Sequence, residues 1–278
     1  MLRPPLFLHR YHFFPKKRWG QHFLVDDEVK ERIINSAELS SEDIVVEIGG
    51  GGGVLTEELA KRSKKVVTIE KDRELVKILK EKLRDFSNLE ILEKDILKVR
   101  FKDIKDIERA EELKVIGNLP YYISTPIIFH LFEQRERIKF ILICVQKELG
   151  ERLVAQPGSK NYGILSIKAR FFSHPRIVFD IPRRCFFPVP QVDSCLLRLD
   201  ILKEKRYAIE EDVLFRTVEV CFAQRRKTIL NNLVQGFSMD KGLLKRVLKE
   251  AGIDYRERPE AVSIEKFILL ANRLRSTG

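Results

Sequence analysis

The sequence predicts an α/β fold: a largely parallel, Rossmann-like sheet covered by helices on both faces, followed by a small all-helical domain. Three observations predict it. Between residues 26 and 202 short apolar runs alternate with segments of helical period, the texture of buried parallel strands joined by crossover helices. The first run, Ile44–Ile48, empties into five consecutive glycines, Gly49–Gly53, where a turn can bring backbone close to a ligand. After Leu202 the strand-like runs cease and only helical periodicity is left.

Taken in order, residues 1–18 carry prolines and cations with no signal-peptide core and predict a flexible basic arm. Val29, Ile33, Ile34 and Ala37 have helical spacing within 26–37. Strand candidates follow at Ile44–Ile48, Val66–Ile69, Leu89–Leu92, Val115–Ile116 and Phe140–Val145. Helical stretches sit among them at Leu55–Lys61, 75–83, Thr125–Phe132 and Gln146–Val154. Arg176–Ile181 and Ser194–Leu199 have no helix between them, as in a sheet that closes with an antiparallel edge. Lys203–Arg206 reads as a charged linker, Glu210–Val234 as one long helix stopped at Gly236, and Leu243–Lys249 and Ile264–Leu274 as two more. The expected domains are therefore 1–18, the arm; 19–202, the sheet domain; and 203–278, a small all-helical domain.

The 278 residues suffice for about two domains. With 44% hydrophobic and 33% charged residues the chain is expected to fold as a globular protein. No apolar run approaches the ~20 residues of a membrane span. The four cysteines contain no C-x-x-C pair and the five histidines no ligand spacing, so neither a disulfide framework nor a metal is expected, and the compartment is expected to be the cytoplasm. The net charge of +11 is concentrated at the ends: residues 1–25 hold five cations and no acid, and residues 201–278 hold 16 cations against 11 acids. On charge alone, a surface for a polyanion and a merely solubilising excess are equally served.

The glycine loop is not a dinucleotide fingerprint, because Val54 stands where the third glycine is required, and no G-K-[ST] follows for a triphosphate. Glu70 ends the second strand and Asp95 follows the third. Two acids suit a ribose diol and an adenine amine without a phosphate grip, which points to S-adenosylmethionine. The fourth strand ends in Gly117-Asn118-Leu119-Pro120-Tyr121. An adenine N6 amine is a poor nucleophile because its lone pair is delocalised into the ring. Asn118 Oδ1 and a backbone carbonyl of this turn can accept its two N–H bonds and favour a pyramidal nitrogen. Pro120 fixes the turn, and Tyr121 can stack on an extruded base. No proton need leave before methyl transfer. In the long helix Arg225 and Arg226 fall on the apolar stripe of Leu214, Val218 and Phe222, so they must pair with carboxylates inside the protein or, with Lys227, bind RNA phosphates at the mouth of an interdomain cleft; the second is the expectation.

These motifs, with Gly20-Gln21-His22-Phe23-Leu24, Gln146-Lys147-Glu148, Ser159-Lys160-Asn161-Tyr162-Gly163, Phe186-Phe187-Pro188-Val189-Pro190, Val192-Asp193-Ser194 and Gln224-Arg225-Arg226-Lys227, resemble the small-subunit ribosomal RNA adenine-N6,N6-dimethyltransferases from about Lys17 to Asn272. The resemblance implies a seven-stranded S-adenosylmethionine-dependent methyltransferase sheet with a helical C-terminal domain. It implies cofactor contacts at His22, Leu24, Gly49, Glu70, Asp95 and Asn118, and an adenine clasped by Tyr121 and Phe186. It implies dimethylation of two adjacent adenosines in a hairpin near the 3′ end of small-subunit (16S) RNA, linked to small-subunit maturation. The partner is then that RNA within a precursor small subunit, no membrane is involved, and the protein is expected to be a monomer. Two departures stand out: His22 replaces an Asn of many members, and Ile164 replaces an Arg. The rivals are a macrolide-resistance-type methyltransferase of large-subunit RNA, which shares the N-x-P-Y turn, and a non-enzymatic RNA-binding factor, which an eroded glycine loop or a lost Asn would signal.

Overall fold

A computed structural model describes residues 4–203 and 207–277. Of the charged stretch Lys203–Arg206, residues 204–206 lie outside the described residues. The chain forms two compact units, Met1–Gly150 with Arg176–Ile201, and Glu151–Pro175 with Leu202–Gly278.

The first unit carries a seven-stranded sheet of β1 (Ile44–Ile48), β2 (Lys65–Glu70), β3 (Leu89–Glu93), β4 (Leu113–Asn118), β5 (Ile138–Gln146), β6 (Ser173–Ile181) and β7 (Ser194–Ile201), in the spatial order β3-β2-β1-β4-β5-β7-β6. The first five strands are parallel, and β7 runs antiparallel to β5. All seven strand candidates of the sequence are present. Val45, Val46, Val66 and Val115 are fully buried, as strands covered on both faces must be. The chain runs outward from β1 to β3 and then returns to β4, so the strand order reverses between β1 and β4, where open α/β sheets bind their ligands. Register settles who meets there. Ile48 pairs with Ile69 on one side and with Gly117 on the other, so Gly49, Glu70 and Asn118 lie side by side, one residue further on.

Residues 5–24 do not form a free arm. A helix at Leu6–Arg10 presents Phe7 and Leu8, and with Phe13 these join Phe23, Leu75 and Ile78 in one buried cluster. Phe7 meets Phe23 edge-on at 5.2 Å. It also fills the space above Gly52, where a Cβ would fall 2.3 Å from the ring. Burying three large apolar side chains outweighs the local charge that suggested an arm. Residues 1–3 lie outside the description.

In the second unit Leu214, Val218, Ile229, Leu233, Leu244 and Phe267 share a core with Tyr162 and Ile167 from the 151–175 segment. The expected long helix is two helices, Glu211–Cys221 and Ile229–Phe237, with Gln224–Lys227 exposed between them. A continuous helix would turn Arg225 and Arg226 into the apolar core at a steep desolvation cost; breaking it leaves them in water. The ends are capped. Thr228 Oγ1 accepts from Asn231 N at 3.4 Å, and the buried Asn232 donates to the Cys221 carbonyl at 2.5 Å and to the Gln224 carbonyl at 3.2 Å.

Candidate active site

The carboxyl ends of β1–β4 open onto a cleft lined by Trp19, His22, Gly49, Glu70, Asp95, Asn118, Pro120 and Tyr121, among others. Its walls between the polar groups are apolar, with Ile48, Ile69, Leu75, Ile96 and Leu119, which suits a flat nucleoside ring.

Glu70 is 8% exposed. Its Oε2 accepts from Gly51 N at 3.1 Å and its Oε1 from Asp72 N at 2.8 Å. Burial raises its pKa above the usual carboxylate range, against the pull of these backbone donors. The Gly51 N–H reaches it because Gly51 adopts φ +53°, a left-handed conformation that costs glycine little. The carboxylate keeps acceptor capacity beyond these backbone donors, as binding a ribose hydroxyl requires. Asp95 caps the short turn after it through Oδ1 to Leu97 N at 3.1 Å and meets Lys71 Nζ at 2.8 Å. Burial works to raise its pKa, but Lys71 and the Leu97 N–H outweigh it and hold the carboxyl below the usual range. Beneath the loop, Glu47 is 1% exposed and accepts from Thr56 and Thr68 hydroxyls; burial pushes its pKa up to about 7.

Asn118 Nδ2 donates to the His22 carbonyl at 2.8 Å. A carbonyl only accepts, so the amide orientation is assigned by that bond, and Oδ1 is the atom left for a substrate donor. Beside it the Pro120 carbonyl is engaged by Ile123 N and Ser124 Oγ, whereas among the described residues the Leu119 carbonyl receives no hydrogen bond. Two acceptors, Asn118 Oδ1 and Leu119 O, thus stand in adjacent residues of the turn. Tyr121 is half-buried, its hydroxyl 2.6 Å from Ser194 Oγ.

Seven of the expected residues, His22, Gly49, Glu70, Asp95, Asn118, Pro120 and Tyr121, meet at this cleft. Two do not. Leu24 and Phe186 pair across a short two-stranded ribbon and are 5% and 0% exposed inside the hydrophobic core. The Phe186 ring therefore offers no face to a base; it is packed where two apolar side chains meet back to back. Sequence reasoning missed Asp72, which is 1% exposed and accepts from Lys16 Nζ at 2.8 Å and Gln21 Nε2 at 2.9 Å. Its position as N-cap of the helix Arg73–Lys82 was the available signal.

In the second unit the three cations of the 224–228 loop differ. Arg225 donates to the Lys160 carbonyl at 2.8 Å and lies 3.7 Å from Glu260, stapling three segments together. Arg226 and Lys227 are exposed and meet no carboxylate among the described residues.

Residues 13–275 match the ribosomal RNA adenine dimethylase family. The chain is 45% identical over 273 residues to the ribosomal RNA small subunit methyltransferase A of Bacillus mycoides, covering 95% of this chain and 93% of that one. The corresponding Bacillus cereus protein is 44% identical over the same length. Among solved structures, a dimethyladenosine transferase from Plasmodium falciparum superposes with a TM-score of 0.78 at 28% identity, covering 92% of this chain and 98% of that one. The 23S rRNA methyltransferase ErmE superposes with 0.70, also at 28% identity, covering 91% and 99%.

Proposed function

Since the chain belongs to the ribosomal RNA adenine dimethylase family, we propose that it methylates adenosine N6 in small-subunit ribosomal RNA, with S-adenosylmethionine as methyl donor. The observation that carries the chemistry is the oriented Asn118 amide, held by His22 so that Oδ1 and the neighbouring Leu119 carbonyl both accept. Two acceptors for the two N–H bonds draw the amine lone pair out of conjugation and aim it. The cofactor supplies an electrophilic methyl on a positively charged sulfur. The residues present fit it: two carboxylates at Glu70 and Asp95, an apolar slot, and a left-handed glycine turn between them. Glu70 would hold the ribose and Asp95 the adenine amine. After transfer the nitrogen is cationic and loses its proton to water, so no side-chain base is required.

Identity of about 45% to small-subunit relatives supports that target over the large-subunit one, despite the likeness to ErmE. The finer target in this proposal is a pair of adjacent adenosines in a 3′ hairpin, each methylated twice within a precursor small subunit in the cytoplasm by a monomeric enzyme, with Arg226 and Lys227 on RNA phosphates. Purified unmethylated small and large subunits, incubated separately with labelled methyl donor and mapped by primer extension, test it. Label at two neighbouring small-subunit adenosines is expected. Label confined to the large subunit, or none on either, overturns it.

A further inference from the structure

His22 sits at the centre of a bracket that the reaction has not yet used. Its carbonyl accepts from Asn118 Nδ2 at 2.8 Å. Its Nδ1 lies 2.6 Å from the Pro188 carbonyl, and because that oxygen only accepts, Nδ1 carries the proton. Its ring lies against that of Tyr121, centroids 5.4 Å apart and planes inclined by 24°, the geometry of an offset stack. The bracket is anchored on both sides. Phe23, next to His22, pairs with Phe187, next to Pro188, and the far end of Tyr121 is tied to the fully buried Ser194. One residue thus touches both groups that must hold the target adenine, the amide through its backbone and the phenol ring through its imidazole.

We infer that the His22 imidazole is a positioning residue for Tyr121, fixing one face of that ring so that the other is presented to the target base. The inference rests on the reading of this cleft as an adenine-N6 methylation site. Two parts of the imidazole are committed, Nδ1 to Pro188 and one face to Tyr121, which leaves Nε2 as an acceptor. An Asn at this position keeps the backbone carbonyl that orients Asn118 but lacks a ring to lay against Tyr121, so the two side chains are not equivalent here.

The test uses three variants of the full chain, His22→Ala, His22→Asn and His22→Phe, with two independent readouts. Calorimetry with S-adenosylhomocysteine reports cofactor-site affinity without turnover; steady-state methylation of small subunits reports kcat and KM separately. For Ala and Asn, affinity within about twofold of wild type is expected, together with a kcat lower by roughly tenfold or more and a nearly constant KM, the pattern of a misplaced reacting group. Phe keeps a ring against Tyr121 and is expected to recover kcat above the Ala and Asn values. Loss of affinity in Ala and Phe that Asn restores, with kcat unchanged at saturation, would make the ring a cofactor ligand and overturn the inference. So would a Phe variant no faster than Ala, or full activity in all three. Failure of the underlying reading is distinguishable, since it shows as absence of methyl transfer by the wild-type chain itself.

Discussion

Replacing Glu70 by Gln keeps size and shape but removes one of two acceptors that the folded chain demands. Oε1 accepts the Asp72 N–H at 2.8 Å and Oε2 the Gly51 N–H at 3.1 Å. A glutamine has one oxygen, so whichever way its amide turns, an NH₂ group faces a backbone donor in a site where the native side chain is 8% exposed. An unsatisfied buried donor costs about 1–3 kcal/mol. Alanine empties the space, and water can enter to meet both donors, so Gln is expected to be the less stable of the two. Both variants also lose the charge-assisted acceptor for the ribose, and cofactor affinity should fall by roughly tenfold or more. Trp19, the single tryptophan, lines the cleft, so its fluorescence during urea unfolding reports on this unit, while calorimetry gives affinity. Burial raises the Glu70 pKa, so wild-type affinity should also weaken toward acid pH, as the protonated form loses an acceptor. A Gln variant with wild-type midpoint and wild-type affinity would refute the two-acceptor argument.

Three further outcomes are expected. Asn118→Ala should abolish most methyl transfer while cofactor affinity falls much less, because Oδ1 acts on the amine; near-normal turnover would sink the mechanism. Arg226→Gln with Lys227→Gln should flatten the salt dependence of RNA binding by nearly one unit per lost phosphate contact and leave the melting temperature in place, whereas Arg225→Gln should lower it by breaking the Lys160 and Glu260 contacts; reversed behaviour would exchange their roles. Glu47, with a folded pKa of about 7, binds a proton that the unfolded chain has released above its ordinary carboxyl range. Stability should therefore decline between about pH 4.5 and 7 by roughly 3 kcal/mol. Glu47→Gln should remove that decline, seen as urea midpoints that converge or cross with the wild type between pH 5 and 8; parallel curves would contradict it.

By itself the sequence determined whatever follows from local rules. Apolar runs of strand length alternating with helical period set the sheet, glycines marked the ligand turn, and acids at the ends of β2 and β3 marked the polar corners of the cleft. Each of these signals is contained in a few consecutive residues, and parallel register then brings Gly49, Glu70 and Asn118 together. Tertiary structure decided matters that depend on what a side chain meets across the fold. It buried Phe186 against Leu24, although the motif alone reads equally well with an open ring. It strapped Phe7 over Gly52, where local charge suggested a free arm. It packed residues 151–175 with the helices beyond 202, across the boundary that the change of texture suggested. It also broke the helix at Gln224–Lys227. The conflict between cations and an apolar stripe was visible in the sequence, but its resolution depended on whether partners existed to cap two new helix ends. Asn232 and Thr228 supply those caps, and the free energy of satisfied carbonyls and solvated cations exceeds that of one more helical turn.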